Sequence, residues 1–182
     1  MKKIIFIFCF IFLHFSGFCF ANSCEKESLG NSQYLNSTKE CINHVAKLTL
    51  TNVVVTNQQD MTGKLIAKNV VLNDIVATGK ILFEKQSLIK GKIDLVGKLI
   101  ANNSSFLKTL NIVSDHIELN AGTTTKDILI GKNARSKTKK QILYIDNSTV
   151  NGNIKFTSGI GEVVIRNGGS FTGNLTGGTV RK

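Results

Sequence analysis

The sequence predicts an all-β fold, a parallel β-helix of about seven short coils behind a small N-terminal helical cap. Three observations predict it. A short strand pattern recurs at near-constant spacing, its residues alternate inward apolar with outward polar, and Gly or Asn punctuates each repeat. Strands this short form no stable sheet alone. Stacked at a fixed period, each pairs with its equivalent one coil later, and their inward side chains build one core.

The first 21 residues stand apart. Lys2 and Lys3 precede an apolar run from Ile4 to Phe20, and Cys19-Phe20-Ala21 offers small residues for cleavage. That is the pattern of a secretory signal peptide. The expected mature chain is exported, to the periplasm, the cell envelope or the medium. Its formal net charge falls from +11 to +9 when the two lysines leave. A retained N-terminal anchor, or lipidation at Cys24, is an alternative use of the same run. No second apolar run of spanning length follows.

Residues 22–46 are expected to cap the solenoid. Ser37-Thr38-Lys39-Glu40 fits a capping box opening a helix through Cys41 to Ala46. Cys24 and Cys41 form an even pair in an exported segment, which reads as a disulfide.

The solenoid domain is expected over 47–182. Its first strands begin at Lys47, Lys64, Lys80, Lys98 and His116, at steps of 17, 16, 18 and 18 residues. Gln141-Ile142-Leu143-Tyr144 and Glu162-Val163-Val164-Ile165 continue the series after steps of 25 and 21. Alternation names the inward pairs: Leu48 and Leu50, Leu65 and Ala67, Ile81 and Phe83, Leu99 and Ala101, Ile117 and Leu119, Ile142 and Tyr144, Val163 and Ile165. Asn52, Asn69, Asn103 and Asn167 follow these strands as turn formers. The uneven steps depart from a strict six-residue repeat and favour a right-handed coil. An ordinary β-sandwich is the competing architecture.

Gly63-Lys64-Leu65-Ile66-Ala67 and Gly97-Lys98-Leu99-Ile100-Ala101 match residue for residue. Such Gly-led strands on coils of 16 to 18 residues resemble those of bactofilin-type polymer-forming proteins over roughly residues 46–182. The chain also resembles single-stranded parallel β-helix proteins at large. The resemblance implies the fold and transfers no functional residue.

Three surface features are expected to carry function. Lys47, Lys64, Lys80 and Lys98 lead successive coils and should project as an outward column. Ile66, Leu82 and Ile100 hold the outward middle of the same strands and form an apolar ridge, a candidate interface. The long step holds Lys132, Arg135, Lys137, Lys139 and Lys140 in a basic loop. The expected partners are anionic polysaccharide or lipid head groups, or further copies of the chain. Nucleic acid is disfavoured because no aromatics interleave with the charges. The carboxylates Asp60, Asp74, Asp94, Asp115, Asp127 and Asp146 scatter over different coil phases, and no metal or phosphate motif occurs. No catalytic residue and no cofactor is therefore expected. The function predicted is non-enzymatic, structural or binding. A small polysaccharide lyase or hydrolase is one alternative, and a secreted effector that binds a host partner is another.

Overall fold

The structure is a computed structural model and describes residues 28–134 and 140–182. The expected signal peptide, residues 1–21, and Cys24 lie outside the described residues. The described chain is all-β: a parallel β-solenoid of about nine coils, each strand hydrogen-bonded in register to the same strand of the next coil. One inward column fixes the frame. Ser32, Leu48, Leu65, Ile81, Leu99, Ile117, Leu143, Val163 and Val180 stack in that order. At about 4.8 Å per coil the stack runs roughly 40 Å.

Two of these coils were not expected. The proposed helix from Ser37 to Ala46 is absent: Ser28–Lys39 and Ile42–Val55 are strands, paired in parallel. A capping box is a local signal, and an isolated helix of one or two turns is marginal in water. Ile42 and His44 point inward with the period-2 alternation that continues to Leu48 and Leu50. Pairing with the next coil therefore wins, and residues 28–46 are solenoid. At the other end Gly178–Arg181 adds a further strand.

Each coil turns three corners and presents three faces. The first face carries the Lys-led strands. The second is short, as in Val71–Leu72, Ser87–Ile89 and Ser104–Phe106. The third holds Ile75, Ile93, Leu110, Ile128, Ile154 and Leu175 in one stack.

The corner between the first and second faces needs a left-handed residue. Asn36, Asn52, Asn69, Asn103, Asn147 and Asn167 all sit there, with φ between 43° and 53°. Asn tolerates this region because its side chain bonds locally. Here it also bonds along the stack: Asn52 Nδ2 donates to Asn36 Oδ1 at 2.7 Å, and Asn69 Nδ2 to Asn52 Oδ1 at 2.9 Å. Just past the corner, inward hydroxyls satisfy themselves. Ser87, Ser104, Thr123 and Ser148 donate to the carbonyls of Glu84, Asn102, Asn120 and Asp146.

The corner between the third and first faces is tighter. Gly63, Gly79 and Gly97 stack with φ of 122°, 134° and 145°. A Cβ on Gly79 would lie 2.0 Å from the Gly63 carbonyl oxygen. The long strands Gln59–Lys68, Ile75–Glu84 and Ile93–Asn102 bend at these glycines and so serve two faces each.

The core fills by size complementation. Phe83 is fully buried and stacks between Ala67 and Ala101. The small neighbours above and below leave room for its ring, which meets Phe106 edge-on at 5.5 Å.

One expected inward pair is corrected. Leu143 and Ile145 point inward, while Ile142 and Tyr144 point out. The cause is Gln141. Its side chain is buried, and its Nε2 donates to the carbonyls of Ser114 and Gly131 at 2.7 and 2.8 Å. It fills the gap where the long loop leaves the stack. A polar residue inside the barrel therefore imitates the polar residue that leads the other strands, and shifts the apparent register by one.

The glycine corner yields a test. Gly79→Ala should cost about 3 kcal/mol or more, from strain at positive φ together with a backbone clash. Gly122→Ala, at φ 82° with open space around it, should cost about 1 kcal/mol. Urea unfolding of both variants measures the difference, and equal losses would remove the close-approach argument.

Candidate functional site

The first face assembles the candidate site, because in-register stacking turns each outward position into a row along the axis. The leading row is Lys47, Lys64, Lys80 and Lys98, paired coil to coil. Lys47, Lys64 and Lys80 are exposed, and none has an ion pair or hydrogen bond from its side chain among the described residues. Lys98 differs: its ammonium lies 2.9 Å from Glu118 Oε1 on the next coil.

The middle row places Ile66, Leu82 and Ile100 in register. They are half-buried rather than exposed, flanked by the lysine row and by the Lys68–Glu84 ion pair at 3.0 Å. Leu143 and Val164, which the expected inward pairs of their strands would place outward, are both buried. Larger apolar exposure occurs on the third face, where Val96 is 53% exposed and lines one shallow groove with Val76 and Leu129. The sequence reading missed this patch. Alternation over Ile93-Asp94-Leu95-Val96 would have flagged Val96 as outward.

The basic loop is described only at its ends. Lys132 is exposed, and Lys140 pairs with Glu162 at 3.0 Å. Arg135, Lys137 and Lys139 fall outside the described residues. A groove of about 630 Å³ runs beside the glycine corner. Thr78, Gly79, Gly97, Lys98, Asp115 and Lys132 are among the residues that line it.

Past Lys98 the rows change character. The leading row continues through His116, and the middle row through Glu118 and Tyr144. His116 Nε2 meets Glu118 Oε1, so this carboxylate serves two partners. Tyr144 lies between His116 and Arg166, with the ring centroids of Tyr144 and His116 5.1 Å apart and the guanidinium 4.5 Å above the Tyr144 ring. His116, Glu118, Asn120, Tyr144, Asp146 and Arg166 line an open concavity of about 270 Å³. The sequence reading missed this cluster because its members span three coils, and the register shift at Gln141 hid Tyr144 inside the core.

Among the described residues no group of three or more His, Cys, Asp or Glu side chains is placed to hold a metal ion. No described helix is long and apolar enough to cross a membrane. Cys41 is buried at 4% exposure, at the turn before Ile42.

The Glu118 carboxyl has an acid-side signature. Burial works against its charged form, but hydrogen bonds and charge from Lys98 and His116 outweigh this and hold its pKa below the ordinary 4.5. A lowered carboxyl pKa contributes stability that is present above the unfolded value and is lost as pH falls through the folded one. The wild-type melting temperature should therefore fall on acidification below pH 4.5 more steeply than that of Glu118→Gln. Thermal scans from pH 6 to 3 measure this, and parallel curves would remove the carboxylate's role.

The chain matches no protein family, no curated protein and no solved structure, and these rows of side chains are legible only from their own geometry.

Proposed function

We propose that this protein is an exported, non-enzymatic binding protein whose first face holds an acidic polysaccharide of the cell envelope along the Lys47–Lys64–Lys80 row. The observation that carries the reading is that three exposed ammonium groups stack on consecutive coils with no acidic partner among the described residues. Like charges directly opposite one another across paired strands are destabilising. An extended polyanion lying along the axis relieves that repulsion at every coil, since the row has the roughly 4.8 Å pitch of the strands. The groove beside the row holds Lys132 together with Asp115 and the ion-paired Lys98. Nucleic acid fits less well: its phosphates repeat about every 3.4 Å along a strand, and no aromatic side chain interrupts the lysines to stack a base.

Export supplies the setting. The N-terminal charge and apolar run support a signal peptide, and an oxidising compartment supports a Cys24–Cys41 disulfide that tethers the segment before Ser28 to the first turn. Alkylation of the denatured mature protein without reductant should leave both thiols unlabelled in the intact mass. Labelling of both would remove the staple.

The binding test uses immobilised heparin as a sulfated polysaccharide, with anionic phosphatidylglycerol vesicles as a second arm. The protein should be retained at low salt. Lys47→Gln, Lys64→Gln and Lys80→Gln combined should elute earlier, with the slope of log affinity against log salt reduced by about 2. Retention unchanged in the triple variant, or binding to vesicles alone, overturns the reading, as does an oligomer in sedimentation that buries the row. Stability should move the opposite way. Lys64→Glu replaces two repulsive neighbours by two attractive ones and should raise unfolding free energy by about 0.5–1 kcal/mol while weakening retention.

A further inference from the structure

The concavity around Tyr144 does not take part in the lysine row and has its own chemistry. Arg166 lies in register beside Asp146, yet the two form no ion pair. Asp146 Oδ1 accepts instead from Asn167 Nδ2 at 2.7 Å. The Arg166 guanidinium stacks over the Tyr144 ring at 4.5 Å and has no hydrogen bond to any other described residue. The ring therefore orients the planar fork while its five N–H donors stay unengaged. The Tyr144 hydroxyl likewise has no partner among the described residues.

Around this fork stand acceptors with free capacity. Glu118 Oε1 meets Lys98 and His116, and its Oε2 has no hydrogen bond or ion pair among the described residues. Asn120 gives its side-chain Nδ2 to Asn102 at 3.1 Å, and its side-chain Oδ1 accepts from no described residue. Asp146 keeps its second oxygen. The space enclosed is about 270 Å³. That is below the roughly 300 Å³ at which pockets for drug-sized molecules begin, and suits one small polar unit.

We propose that this concavity binds a single carboxylate-bearing sugar, a hexuronic acid unit, with its carboxylate on the Arg166 fork and its hydroxyls on Asp146, Asn120 and Glu118. A free guanidinium fork matches a planar carboxylate with two parallel hydrogen bonds. The two neighbouring carboxylates disfavour a doubly charged phosphate ester but accept hydroxyl protons well. A neutral sugar leaves the fork unused, and a bare carboxylate leaves the acceptors unused. The ligand that engages both halves carries an acid group and hydroxyls on one small frame. This site is independent of the polymer reading, because it takes one unit and uses none of Lys47, Lys64 or Lys80.

The test is an NMR titration of the isotope-labelled mature protein with glucuronate, with glucose, acetate and inorganic phosphate as separate arms. Glucuronate should saturate shifts confined to the first face between His116 and Arg166. Glucose, acetate and phosphate should each bind about tenfold more weakly or less. Arg166→Lys keeps the charge but loses the fork, and should weaken glucuronate about tenfold at an unchanged melting temperature. The combined glutamine variant of Lys47, Lys64 and Lys80 should bind glucuronate as the wild type does. The proposal is overturned by undiminished binding in Arg166→Lys. It is equally overturned if acetate, glucose or phosphate binds as tightly as glucuronate, or if glucuronate produces no saturable shift. Failure of the wild type to be retained on heparin, with its glucuronate binding intact, would remove the lysine-row reading alone.

Discussion

The parallel, in-register ladder between coils is the constraint on which everything else in this molecule depends. Each residue has the equivalent residue of the next coil as its nearest neighbour along the axis, at the strand spacing of about 4.8 Å. A conformation that one coil requires, every coil must supply. That is why Gly63, Gly79 and Gly97 recur where one backbone passes over the carbonyl of the last, and why Asn returns at the opposite corner. The Asn column adds its own side-chain bonds between coils, so the turn residue also strengthens the ladder. The same constraint governs volume: a Phe at one level of the core is tolerated because Ala stands above and below it.

Stacking acts on the outside too, where it is less forgiving. A row of equivalent outward positions becomes a row of equivalent charges whenever the repeat is conserved in sequence. The chain shows two outcomes. At Lys68 and Lys98 the next coil offers Glu84 and Glu118, and ion pairs form at 3.0 and 2.9 Å. At Lys47, Lys64 and Lys80 the next coil offers another lysine. Exposed pairs contribute little individually. The difference matters because it leaves adjacent positive charges unneutralised on one narrow strip.

The architecture was legible in the sequence because its signals are repeated and therefore self-checking. Strand period, Asn corners and the lysine row each occur several times. What failed was what occurs once. A capping box at Ser37 is a local preference, and the ladder to Ile42–Val55 overrode it. Gln141 is polar and yet buried, a single exception that broke the alternation rule and moved Tyr144 to the wrong side. The Tyr144–Arg166 cluster was invisible for a further reason. Its members share no motif, and only the coil lengths, one of them stretched by the loop, decide that they meet.

The first face also divides in two, at the coil after Lys98. From Lys64 to Lys98 the leading and middle rows repeat the same residue types coil after coil, Lys beside Ile or Leu. From His116 onward the rows read His, Ile and Glu beside Glu, Tyr and Val. A repeating surface suits a repeating ligand, since each added unit meets the contact the previous unit met. A non-repeating cluster suits a single unit, since its geometry is met once. The two readings of this face follow from that division. The lysine row depends on the regularity of the coils, and the Arg166 concavity depends on its interruption, so substitutions in one region should leave the other intact.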